Sequence, residues 1–92
     1  MTTPSKVKYR TIKGISGVEH KVAIVNVEGK DYILINCKGL ISEEFKLEIT
    51  KMVIISMDVG IPPLLIVNNS ENILKEIEGI IRRLGGKIVK AD

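Results

Sequence analysis

The chain has 92 residues, 45% of them hydrophobic, which makes one domain with a modest core. It has one Cys and one His, which excludes an internal disulfide and a CxxC motif and argues against a protein-only zinc site. The formal charge is +3. The excess belongs to the N-terminal part: residues 1–40 carry seven Lys or Arg against three acidic residues, and residues 41–92 carry seven against eight.

Sixteen Ile and no Trp or Gln imply a branched aliphatic core, and with many Lys and Glu the composition has a thermophile-like bias. No apolar run approaches the roughly 18 residues of a membrane span, and the start has no signal-peptide core. A cytoplasmic protein without membrane contact is the expectation.

Residues 1–5 have no apolar anchor and are expected to form a disordered tail. From Lys6 to Ile12 the sequence alternates, with Lys6, Lys8 and Arg10 on one face and Val7, Tyr9 and Thr11 on the other, which predicts a half-buried strand. The basic strip of Lys6, Lys8 and Arg10 reads first as an edge strand guarded by charge, since only Tyr9 is near for stacking, and second as a candidate phosphate contact. A turn over Gly14-Ile15-Ser16-Gly17 leads to a second strand, Lys21 to Val27, and Glu28–Asp31 forms the loop into a third, Tyr32 to Cys37. The lone His20, with no partner close in sequence, reads as a strand-end residue.

The third strand hands over to a helix. Gly39 breaks the apolar run, Ser42 supplies an N-cap, and Glu43 and Glu44 supply an acidic first turn. A strand-loop-helix junction presents backbone N–H groups, so Asn36, Lys38, Gly39 and Ser42 are the candidate binding residues, and Cys37 is the candidate thiol. Helix one is predicted from Glu43 to Met57, with Phe45, Ile49, Met52 and Val53 inward. Leu47, Ile54 and Ile55 widen its apolar stripe. That width fits helix–helix packing or a partner surface, and the second helix that follows favours helix–helix packing.

Gly60 and Pro62-Pro63 end the helix, and Leu64–Val67 is a short buried strand. Ser70 is the predicted N-cap of helix two, whose inner face is Ile73, Ile77, Ile80, Ile81 and Leu84. Gly85-Gly86 stops it, and Lys87–Ala91 is the last strand. The whole is an α/β two-layer sandwich: a single domain, 1–92, with an N-terminal β-meander over 6–31 and a βαβαβ core over 32–92, both helices on one face of a mixed sheet. The expected mutual core is Ile35, Ile49, Val53, Ile66, Ile77, Ile81 and Ile88.

From Tyr32 onward the chain resembles the SirA/TusA-like sulfur-carrier family. The family pattern is a strand ending in Asp, two residues, Gly-Leu, one residue, then Cys-Pro-x-Pro. Here Asn36 takes the Asp place, Gly39-Leu40 match, and Ser42, Glu43 and Phe45 fall on the Cys and the two Pro. Gly60, Leu64-Leu65-Ile66-Val67, Asn68-Asn69, Ile77-x-Gly79 and Gly86-Lys87-Ile88-Val89 follow at compatible spacings. The resemblance implies a sulfur-carrier fold, but a serine oxygen at position 42 does not hold a persulfide.

No catalytic residue, metal or cofactor is therefore assigned. The expected role is that of a non-catalytic module binding a protein partner or acting in regulation, with a link to sulfur metabolism implied by the resemblance. The alternative is weak, sequence-independent nucleic-acid binding through the basic N-terminal strands, and the third reading is sulfur relay through Cys37. Association with a second copy is left open.

Overall fold

The computed structural model describes residues 7–38, 42–68, 73 and 75–91, the side chain of Ser42 excepted. Five strands form one sheet in the order β1-β2-β3-β4-β5. They are β1 (Val7–Lys13), β2 (Glu19–Val27), β3 (Lys30–Asn36), β4 (Pro63–Asn68) and β5 (Lys87–Ala91). Helix α1 (Ser42–Val59) connects β3 to β4, and α2 (Lys75–Arg83) connects β4 to β5.

The first three strands pair antiparallel because short turns join them, and β3, β4 and β5 are parallel because a helix separates each pair. The meander thus extends the same sheet. Strand β4 lies between β3 and β5, which explains its continuous apolar run: Leu64, Leu65 and Val67 are all buried.

Both helices pack on one face. Ile35, Cys37, Leu65 and Val67 from the sheet meet Ile49 of α1 and Ile77 and Ile81 of α2, with Val53 and Ile88 partly buried against them. Further along the same face, Val22, Ile24 and Ile33 pack under Met52, Ile55 and Val59 of α1. Val25, Tyr32 and Leu64 cluster on the opposite face with Leu34, Ile66 and Val89. Ile66 therefore does not join the core expected for it, since strand alternation sends it away from its neighbours Leu65 and Val67.

Three further departures are instructive. Strand β1 is not half-buried: only Ile12 is partly covered, and Tyr9 is 83% exposed, because β1 is the edge strand. Ile80 is exposed, while its neighbour Ile81 is fully buried. Leu47 and Ile54 do not pack against α2; both are about 60% exposed, and only Ile55 of that trio turns to the sheet.

Helix α1 ends at Gly60, whose φ of 73° gives the left-handed turn that a Cβ disfavours. Its N–H donates to the Ser56 carbonyl, and the Ser56 hydroxyl, itself buried, donates to Ile61 O at 2.6 Å. Among the described residues no helix is long and apolar enough to cross a membrane.

Candidate binding surface

The strand-helix junction is only partly within the described residues. Asn36 is exposed at the end of β3, and its Oδ1 accepts a hydrogen bond from the Lys38 N–H at 3.1 Å, an Asx-type turn that starts the loop. Lys38 is exposed. Gly39 lies outside the described residues, and Ser42 opens α1 with Glu43 and Glu44 in the acidic first turn. Cys37 points the other way: it is fully buried in the core, and its N–H donates to Ile66 O at 2.9 Å.

The basic residues do not share one surface. In the β1–β2 register Lys8 sits opposite Ile24 and Arg10 opposite Val22, on the helix side of the sheet, whereas Lys13 and Lys21 lie opposite Glu19 and Thr11 on the other side. Lys6 lies outside the described residues. On that second face, where no described helix packs, the ammonium groups of Lys30 and Lys87 stand 5.4 and 5.8 Å from the ring centre of buried Tyr32.

A polar cluster that the sequence reading missed ties the β1–β2 turn to the end of α1. The Asp58 carboxylate accepts from the Ser16 N–H at 2.8 Å and the Ser16 hydroxyl at 2.7 Å, and lies 2.7 Å from His20 Nε2. The Ile15 N–H adds a bond to the Asp58 carbonyl at 2.9 Å, and Gly14 lies so close that a Cβ there would meet the carboxylate. The Ser16 hydroxyl, the Ser16 N–H and then His20 hold the Asp58 carboxyl at about 2, with burial opposing them.

Ser, His and Asp here are not a catalytic arrangement. The hydroxyl donates to the same carboxylate oxygen that the imidazole contacts, so the imidazole is not placed as the base that takes its proton. The cluster is a clamp. His20 reads in sequence as isolated because Asp58 is 38 residues away.

Outside the clamp, α1 carries a second apolar face. Leu47, Ile54 and Met57 are each about 60% exposed, Ile15 and Val18 of the clamped turn are 90% and 54% exposed, and Ile80 of α2 is 44% exposed. Ile54 stands between two hollows. One, of about 420 Å³, runs between the helices over Ile49, Val53 and Ile77, and the other, of about 490 Å³, lies against Ile15, Val18 and Met57. The clamp holds Ile15 and Val18 beside α1, so that turn and helix present one continuous surface.

Among the described residues no group of three or more His, Cys, Asp or Glu is placed to hold a metal ion. No protein-family model matches the chain, and no curated protein matches it.

Proposed function

We propose that this protein is a non-catalytic, protein-binding module whose docking surface is the outer face of α1 with the clamped β1–β2 turn. One observation carries the reading: α1 has apolar residues on opposite sides, one buried on the sheet through Ile49, the other exposed through Leu47, Ile54 and Met57. A helix that is apolar on both sides is a helix buried on both sides. The six exposed side chains amount to on the order of 600 Å² of apolar surface, at the top of the range for a lone soluble domain.

The resemblance to SirA/TusA-like carriers supports the same kind of role without the chemistry, since Ser42 stands at the nucleophile place and Cys37 is buried. Sulfur relay through Cys37 would require that buried thiol to open to a donor and an acceptor. The test is a photo-reactive residue in place of Lys51, beside the outer face, and in a second variant in place of Thr11 on the opposite face of the sheet. In cells making the protein, a discrete protein adduct is expected from position 51 and not from position 11. No adduct from position 51 refutes the reading.

A second reading has its own observation. The face without a described helix carries Lys13, Lys21, Lys30 and Lys87 against Glu19, together with exposed Tyr9, and this supports a reading in which weak contact with nucleic acid uses that face of the N-terminal strands and not the Lys8–Arg10 strip. Anisotropy of a labelled single strand should report weak binding, indifferent to sequence, that falls steeply with salt. No binding at low salt, or binding that salt leaves alone, rejects it.

A further inference from the structure

We infer that the occupant of the α1 outer face is a second copy of this chain, the two α1 helices packing antiparallel about a two-fold axis that passes near Lys51. The inference rests on the protein-binding reading and names its partner.

The spacing is the first argument. Leu47, Thr50, Ile54 and Met57 recur at intervals of three, four and three, the a/d seam of two heptads, and the natural complement of such a seam is another seam. Thr50 fits this role because its hydroxyl donates to the Lys46 carbonyl at 2.8 Å, inside the helix, which leaves its methyl as the outward group. Antiparallel alignment sets Leu47 against the second copy's Met57 and Thr50 against the second copy's Ile54, so each small residue receives a large one. The hollows flanking Ile54 give the rest of the interface its knob and hole.

Charge selects the direction. The first turn of α1 is acidic, with Glu43 and Glu44, and its last turn has no basic residue. A parallel pair would stack the two acidic turns, whereas the antiparallel pair separates them and opposes the helix dipoles. Lys51 then faces its own counterpart near the axis, each ammonium already 3.4 Å from a Glu48 carboxylate in its own chain.

The area is sufficient. A standard interface buries about 800 Å² per partner, and in homodimers about 65% of that is apolar, which is close to the on the order of 600 Å² that these six side chains offer.

Light scattering on the full chain at several hundred micromolar should approach about 20 kDa, twice the chain mass of 10.2 kDa. An amine-reactive cross-linker should join Lys51 to Lys51 of the second copy. Ile54→Lys, and independently Leu47→Lys, should raise the dissociation constant at least about 30-fold with an unchanged circular dichroism spectrum. A mass of 10.2 kDa persisting to about 1 mM overturns the inference. So does a dimer that ignores both substitutions or gives no Lys51–Lys51 link. A monomer that another protein nevertheless captures from position 51 also overturns it, while the broader protein-binding reading stands.

Discussion

Ile49 and Ile54 lie on the same helix and offer the same substitution two opposite outcomes. Ile49 is 5% exposed and packs with Ile35, Leu65 and Ile77, so Ile49→Ala removes buried methylenes and leaves a hole between helix and sheet. Such truncations cost about 2–5 kcal/mol. In a domain of this size each kcal/mol moves the melting temperature by about 4–8 °C, so the expected fall is roughly 8–40 °C. That is a large part of a total stability of about 5–15 kcal/mol. Ile54 is 60% exposed, and its truncation should stay within about 0.5 kcal/mol, offset further by the better helix propensity of Ala. Thermal unfolding followed by circular dichroism at about 1 µM, where a weak dimer is dissociated, measures both. Repeating it at about 100 µM should raise the melting temperature of the wild type but not of Ile54→Ala. If Ile54→Ala costs as much as Ile49→Ala in the dilute sample, the outer face is structural and the reasoning behind the docking surface fails.

The Asp58 clamp makes a prediction about acid. Its carboxyl sits at about 2 in the folded chain against an ordinary 3.8, so the unfolded chain takes up the proton first; the stabilisation is present above the ordinary value and is lost as pH falls through about 2. Acid titration of stability should therefore be shallower in Asp58→Asn, and an unchanged acid limb would show that the clamp adds nothing. Gly14→Ala drives a methyl into that carboxylate and should loosen the turn, read as faster amide exchange at Ile15 and Ser16; unchanged exchange there would show that the turn accommodates the methyl. For Cys37, a disulfide reagent should react in native buffer no faster than the chain opens, and mixing with a sulfane-sulfur donor should add no mass. A one-sulfur gain that disappears in Cys37→Ser would restore sulfur relay.

The fold was readable wherever local period and tertiary role agree. Alternation in Lys21–Val27 set Val22 and Ile24 apart from Val25, and the structure keeps them on opposite faces. Gly60, Pro62-Pro63 and Gly85-Gly86 bracketed β4 and α2 because backbone restrictions act whatever the packing. Strand β1 alternates as well as β2 does, yet it is exposed, since its position at the edge depends on which strands pair and not on its own residues. Ile66 is the same failure at residue scale: a run of apolar residues fits a strand buried on both faces but does not say which face each side chain takes. The partners of the clamp are not legible from local pattern, because Ser16, His20 and Asp58 become neighbours only after α1 has folded back across the sheet. A signal was present in retrospect: an Asp one residue before the end of a helix opposes its dipole and so calls for donors from elsewhere.

The widened stripe of α1 is where the sequence reading and the structure part on packing. Periodicity records that Leu47, Ile54 and Met57 are apolar on one side and Phe45, Ile49 and Met52 on another, but burial inside one chain and burial between chains leave the same imprint. With a second helix following, helix–helix packing was the economical expectation. Helix α2 is short, however, and it spends Ile77 and Ile81 on the sheet, which leaves a groove where its contact with α1 would be. The Asp58 clamp points to the same conclusion from the other flank. Four donors, three from the β1–β2 turn and His20 at the start of β2, bond to Asp58 in the last turn of α1, and the residues this brings alongside the helix, Ile15 and Val18, are left exposed. In the proposed docking surface those two side chains are the part that the turn contributes beside Ile54 and Met57.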